Sequence, residues 1–63
     1  MNVGMNWAVY EDRFVAVLLE HGFHRFHAIR VAVAQFPREN PERDAAEWLE
    51  SEEATEMRED GLW

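Results

Sequence analysis

Three histidines of this 63-residue chain, His21, His24 and His27, follow one another at intervals of three. Imidazole is a preferred zinc ligand, and three such ligands with a bound water would form a catalytic zinc site. However, residues six apart point in different directions around a helix, and His21 precedes the turn expected at Gly22. We therefore expect surface or partly buried histidines, and we predict no metal site and no cofactor.

Residues for nucleophilic catalysis are scarce, whereas carboxylates that could act as acids or bases are plentiful. The chain has no cysteine, and Ser51 and Thr55, which lie in an acidic stretch, are its only hydroxyl nucleophiles besides tyrosine. Ser51 is better suited to cap a helix. Acid–base catalysis by carboxylates needs a cleft that shifts the pKa of one of a pair, and a small helical bundle rarely encloses such a cleft. Because a glycine-rich phosphate loop is also absent, we predict a protein that is not an enzyme and has no catalytic residues.

Carboxylates dominate the C-terminal part of the chain. Thirteen acids oppose six bases, all arginine, and the formal net charge is −7. Seven of the acids lie within residues 47–60, opposed only by Arg58. We call these seven residues the acidic face: Glu47, Glu50, Glu52, Glu53, Glu56, Glu59 and Asp60. Such a cluster could be solvated surface that keeps a small protein in solution. Like charges at this density repel one another, however, so we interpret the cluster as a partner-binding surface, which Glu39, Glu42 and Asp44 could extend.

The charge balance also limits the classes of partner. Direct binding to DNA or RNA needs a basic patch that displaces counterions, and an anionic membrane attracts basic segments in the same way. No apolar run approaches the ~20 residues of a membrane span, and no basic segment precedes an apolar stretch as in a secretory signal. We expect a soluble cytoplasmic protein whose partner is a protein with a basic nucleic-acid-binding surface.

Helical signals cover the first half of the chain. A first helix is expected between an N-cap at Asn6 and a glycine stop at Gly22, because large apolar residues recur at helical spacing. These are Trp7, Tyr10, Phe14 and Leu18. A second helix is expected from about residue 24 to residue 36, before Pro37, although Ile29–Val33 also alternates as a strand would. Residues 1–5 carry no periodic signal and are expected to fray.

The second half of the chain begins with the strongest helix-start signal, in which Asn40 is the N-cap and Pro41 the first helical residue. A buried face should follow at Ala45, Ala46, Trp48 and Leu49. A straight helix would continue that face into the acidic residues, so we predict that the chain breaks near Ser51 and that a short fourth helix spans about residues 52–59. Gly61 should end it, with Leu62 and Trp63 folding back.

The expected fold is therefore all-α: a single domain, residues 1–63, with a compact three-helix bundle and a short acidic fourth helix in the C-terminal segment 52–63. The aromatic residues expected in the core are Trp7, Phe14, Phe26, Phe36 and Trp48. Trp63 could pack back on Met57 and Trp48, or it could be an exposed anchor and join two copies into a homodimer.

A local pattern resembles ubiquitin-associated (UBA) domains, which are three-helix bundles. Gly22-Phe23, Ala28, Ala32 and Ala45-Ala46-Glu47-Trp48-Leu49 stand in the order of that family's loop, second helix and third helix, and the likeness covers residues 18–50. The resemblance implies a ubiquitin-binding or other protein-interaction module. Its binding patch would comprise His21, Gly22, Phe23 and Leu49.

In size and acidity the chain also resembles the small phage-encoded anti-defence proteins, of which anti-CRISPR proteins are the best known. Several proteins of that class act by stoichiometric binding, and some present carboxylates where DNA would lie. The resemblance implies a non-enzymatic inhibitor that mimics nucleic acid with its acidic face and blocks a basic nucleic-acid-binding surface. We take this as the leading interpretation, with the UBA-like module as the alternative.

Overall fold

Four α-helices follow one another along the chain in the computed structural model, which describes residues 6–36, 38 and 40–63. They are α1 (Trp7–Glu20), α2 (Arg25–Gln35), α3 (Pro41–Leu49) and α4 (Glu52–Glu59). Helix α1 packs against both α2 and α3, and α4 packs against α3. The described residues contain no strand, so the helical alternative for residues 29–33 is the correct one. The all-α bundle with a short acidic fourth helix is confirmed.

The helix ends follow from the residues expected to form them. Asn6 accepts a hydrogen bond from a main-chain N–H in the first turn of α1, and Asn40 accepts two in the first turn of α3. At the end of α1, Gly22 has φ +91°, and the N–H of Phe23 donates to the carbonyl of Leu18 at 3.0 Å. This is the Schellman arrangement, which glycine favours because it has no Cβ.

The break between α3 and α4 centres on Ser51. Its Oγ donates to the carbonyl oxygen of Trp48 and accepts from the main-chain N–H of Ala54, so one hydroxyl caps both helices. The interruption turns Ala54 into the core while Glu52 and Glu53 remain exposed. An uninterrupted helix would instead have placed these glutamates on the buried arc.

The buried core draws on every helix and on the turn after α1. Its apolar members are Tyr10, Phe14, Val15, Leu18, Phe23, Ala28, Val31, Ala32, Ala45, Trp48 and Ala54. Trp7 and Phe36, both expected in the core, are partly buried at its edge, with ring centroids 5.2 Å apart. Two expectations are wrong: Phe26 is 66% exposed, and Ala46 lies at the surface.

The error at Phe26 has a physical origin in α2. This helix carries apolar residues on all of its sides, so their spacing does not specify which side is buried. The observed inward stripe is Ala28, Val31 and Ala32, whose small side chains allow α1 to approach closely. Residues 1–5, Pro37 and Glu39 lie outside the described residues, and with them the expectations of a frayed N-terminus, of the proline stop and of Glu39 in the acidic surface.

Candidate protein-interaction surface

All seven residues of the acidic face are exposed, on the last turn of α3, the break, α4 and the C-cap of α4. Glu47 lies near two arginines, at 3.4 Å from Nη2 of Arg38 and 3.9 Å from Nε of Arg43. The other six acidic residues form no ion pair with any residue that the structure describes. The acidic face therefore presents a surplus of negative charge that internal contacts leave almost unbalanced.

The acids just upstream have a different role. Glu42 binds Nε of Arg13 on α1 at 2.7 Å, which ties α3 to α1 at the surface. Asp44 is only 2% exposed, and its Oδ2 accepts a hydrogen bond of 2.8 Å from the hydroxyl of Tyr10. The expectation that Asp44 extends the acidic surface is thus wrong, because this buried carboxylate accepts a hydrogen bond that joins α3 to α1.

The Tyr10 hydroxyl shows the effect of this environment. Burial raises the pKa of Tyr10 well above its ordinary value, and the hydrogen bond to Asp44 and the charge of that carboxylate raise the pKa further. Arg38 acts in the opposite direction on the same pKa. A neutral, donating hydroxyl is therefore strongly favoured at position 10, and its hydrogen bond to Asp44 is a structural contact between α1 and α3.

A shallow groove lies where the end of α2 meets the α3–α4 break, and we call it the corner groove. Among the residues that line it are Gln35, Arg38, Asp44, Glu47, Trp48 and Glu53. Two deeply buried polar atoms of this lining, Oδ1 of Asp44 and Nε1 of Trp48, have no hydrogen-bond partner among the described residues.

The corner groove was not predicted from the sequence. A signal for it exists: Pro41, Asp44, Ala45 and Trp48 follow the i, i+3, i+4, i+7 spacing of a buried stripe, with the aspartate inside it.

The residues of the UBA-like patch have unequal access to solvent. His21 is exposed, Leu49 is partly buried, and Phe23 is only 3% exposed beneath the rings of Trp48 and Trp63 at centroid distances of 5.4 and 6.1 Å. A Cβ on Gly22 would lie 2.9 Å from the Trp63 ring. The C-terminal tryptophan therefore covers the part of this patch that a ubiquitin-like partner would need.

The covering segment is held by several contacts. The carbonyl of Trp63 accepts from the N–H of His24 at 2.6 Å, and the N–H of Leu62 donates to the carbonyl of Met57 at 2.8 Å. The guanidinium of Arg58 lies over both the Trp63 and Phe23 rings, 5.3 and 5.4 Å from their centroids. Leu62 and Trp63 thus fold back as expected, although Trp63 keeps 40% of its surface exposed.

The histidines do not converge. The rings of His24 and His27 have centroids 6.2 Å apart, and Nδ1 of His21 lies 3.0 Å from the carbonyl of Val17 on α1. Within the described part of the chain, no group of three or more histidine, cysteine or carboxylate side chains is arranged to hold a metal ion. The exposed aromatic that the sequence did not reveal is Phe26, which has the guanidinium of Arg30 5.9 Å from its ring centroid.

Comparison of the chain with protein-family models, with curated proteins and with solved structures gives no match in any of the three. Among the helices of the described residues, none has the length and apolar character needed to cross a bilayer.

Proposed function

We propose that this protein is a non-enzymatic, stoichiometric inhibitor that uses its acidic face to occupy the basic nucleic-acid-binding surface of another protein. One observation carries the proposal. The upstream acids Glu42 and Asp44 are engaged by Arg13 and Tyr10, whereas six of the seven carboxylates of the acidic face have no ion-pair partner among the described residues. Repulsion among these groups costs stability, and an external cationic partner would relieve it.

The geometry of the two short helices supports this use. The Asn40 and Ser51 caps fix the starts of α3 and α4, and the double cap at Ser51 fixes the angle between them. Carboxylates held on such a frame can substitute for successive phosphates in a basic groove. Their collective field would raise the association rate, and salt would weaken that effect.

The proposed biological setting is anti-defence activity of a phage, with a CRISPR effector or another nucleic-acid-handling complex as the target. The UBA-like alternative remains a second proposal, and it makes a different structural demand. It requires Trp63 to leave Phe23, whereas acidic mimicry uses the surface in the conformation described here.

A charge-reversal experiment tests the proposal. Glu56→Arg combined with Glu59→Arg changes the net charge from −7 to −3 at two exposed positions of α4. Binding of labelled duplex DNA or guide RNA to purified effector complexes is measured by fluorescence anisotropy, with each inhibitor variant added in increasing amounts. The wild-type protein should prevent nucleic-acid binding at a stoichiometric ratio, and the reversed variant should not.

The matched control is Asp12→Arg combined with Glu20→Arg on α1, which also gives a net charge of −3 through two exposed acids. This control should inhibit nearly as well as the wild-type protein. Equal loss in both variants would mean that total charge, and not the acidic face, governs binding. Full inhibition by the Glu56/Glu59 variant would contradict the mechanism.

A further inference from the structure

We propose that the corner groove is the subsite of the acidic face that receives one arginine side chain of the partner, together with a carbonyl group beside it. The inference rests on the proposed function for the identity of the partner, but the binding site itself is argued from this chain alone. Its starting point is the pair of buried atoms without partners, Oδ1 of Asp44 and Nε1 of Trp48.

Unsatisfied polar atoms at this depth are uncommon, because each has lost its hydrogen bonds to water without gaining one inside the protein. The two atoms are opposite in kind, since a carboxylate oxygen accepts and an indole N–H only donates. A ligand that satisfies both must therefore bring a donor and an acceptor. Glu47 and Glu53 also line this groove and add negative charge, so the donor should be cationic.

The chain itself indicates which cation fits. Arg38 lies in the groove with its three guanidinium nitrogens near three different acceptors. Nη1 is 3.2 Å from the Gln35 amide oxygen, Nη2 is 3.4 Å from Glu47, and Nε is 3.8 Å from Oδ1 of Asp44. The planar fork of a guanidinium can address several acceptors at once, which the compact ammonium of lysine does not do with fixed geometry.

The contacts of Arg38 are nevertheless long. Charge-assisted hydrogen bonds are usually about 2.7–2.9 Å, and Arg13 and Glu42 of this same chain reach 2.7 Å. Arg38 also keeps 47% of its side chain exposed. Arg38 therefore leaves Asp44 Oδ1 without a hydrogen bond. An arginine of the partner that approaches this atom more closely could displace Arg38 from the groove.

The acceptor for Trp48 follows from the same reasoning. An arginine side chain brings donors only, so it cannot satisfy the indole N–H. A main-chain carbonyl next to that arginine can accept a hydrogen bond from the indole N–H. The ligand class is accordingly an arginine within a peptide segment, and a bound metal ion is disfavoured because the described carboxylates do not converge.

The experiment uses N-acetyl-arginine N-methylamide as the probe and follows the indole N–H resonance of Trp48 by NMR. The neutral isostere N-acetyl-citrulline N-methylamide is the control ligand. We expect a saturable shift with the arginine probe only. Arg38→Gln should tighten the apparent affinity by roughly threefold or more, as it would if the wild-type groove is vacant about a third of the time.

Two further variants make the result decisive. Arg43→Gln makes the same change in net charge near the same Glu47 but lies outside the groove lining, so it should tighten the affinity much less than Arg38→Gln does. Glu53→Gln should weaken it. The inference is overturned if citrulline shifts the resonance equally, if Arg43→Gln tightens binding as much as Arg38→Gln, or if no saturable shift occurs. Because Glu56 and Glu59 lie outside the groove lining, inhibition that depends on them but not on Glu53 would overturn only this inference and leave the proposed function intact.

Discussion

Asp44 is the one carboxylate among the described residues whose side chain is buried. It lies on the inner stripe of α3 between Pro41 and Trp48, and the Tyr10 hydroxyl binds one of its oxygens. Burial of a charged group without partners is costly, so this residue and its donor depend on each other. The hydrogen bond joins two residues that are 34 positions apart in sequence, and so it helps to set how α3 packs on α1.

Replacing the donor should therefore destabilise the fold. Tyr10→Phe removes only the hydroxyl but leaves Oδ2 of Asp44 buried without its partner, which we expect to cost about 1–3 kcal/mol in the free energy of unfolding. Chemical denaturation at neutral pH measures this loss. The double variant with Asp44→Asn should recover part of it, because the unpaired group is then neutral. A Tyr10→Phe protein as stable as the wild type would contradict the role assigned to this contact.

The same hydroxyl predicts an alkaline signature. The pKa of Tyr10 is raised in the folded protein, whereas the unfolded chain ionises near ~10. The stabilising contribution is therefore complete below that pH, and it is lost as the pH rises toward the folded pKa. The chain has one tyrosine, no cysteine and no lysine, so Tyr10 is its only side chain of a type that ordinarily titrates near pH ~10. The decline should be present in the wild type and absent in Tyr10→Phe.

At the scale of the elements, two glycines end helices in the same left-handed conformation. Gly22 follows α1 with φ +91°, and Gly61 follows α4 with φ +76°. A Cβ at Gly22 would press on the Trp63 ring at 2.9 Å, whereas one at Gly61 would meet nothing within 4 Å. The two sites therefore share the backbone cost of alanine, about 1–2 kcal/mol, and differ only in the contact with Trp63.

This pair gives a controlled prediction. Gly22→Ala should lower the thermal unfolding midpoint more than Gly61→Ala, because it also displaces the Trp63 ring. Amide hydrogen exchange provides the local measurement, since the N–H of His24 donates to the carbonyl of Trp63. Its protection should fall in Gly22→Ala. Equal midpoints and unchanged His24 protection in the two variants would show that Trp63 is not held over Gly22.

The ends of α1, α3 and α4 were predictable from sequence, because each depends on a residue whose local chemistry has one main use. These residues act on main-chain groups only a few positions away, so a short stretch of sequence contains both partners of each interaction. The examples are Asn40 with Pro41, Ser51 before two glutamates, and the two glycine stops. The break at Ser51 could also be deduced, from the conflict between a buried stripe and an acidic stripe on one arc.

The buried side of α2 and the corner groove were not predictable in this way. Helix α2 has apolar residues of its own on every side, and only its packing against α1 determines that Ala28 is buried and Phe26 is exposed. The groove combines Arg38 from the connection after α2 with Asp44 and Trp48 from α3, so it exists only once the α2–α3 and α3–α4 geometry is set. The exposed cluster of acidic residues was predictable because charge density, unlike packing, is visible in the sequence itself.

Considered as a whole, the molecule separates its charges. Helix α2 carries Arg25 and Arg30 and no acid, whereas the acidic face carries seven carboxylates. Glu52 and Glu56 of α4 and its C-cap residue Asp60 follow one another at intervals of four. Like-charge pairs at that spacing destabilise a helix by about 0.2–0.5 kcal/mol each. Glu56 and later acids also approach the negative end of the α4 dipole.

Salt should therefore affect stability and binding in opposite directions. Between ~0.01 M and ~1 M salt the screening length falls from about 30 Å to about 3 Å, which relieves repulsion across the acidic face. The exposed pair Arg13–Glu42 weakens as well, but such pairs contribute only about 0–1 kcal/mol. We expect the thermal unfolding midpoint to rise with sodium chloride, while inhibition of the target weakens over the same range.

The Glu56→Arg and Glu59→Arg variant isolates the cause. It places an arginine at position 56, four residues from both Glu52 and Asp60, so like-charge repulsion at those spacings becomes attraction. The variant should therefore be more stable than the wild type at low salt and should gain less from added salt. Calorimetric melts of both proteins at matched ionic strengths provide the comparison. A wild-type midpoint that falls with salt would mean that favourable ion pairs outweigh repulsion. The acidic face would then be a stabilising surface network, and its charge would no longer argue for an external cationic partner.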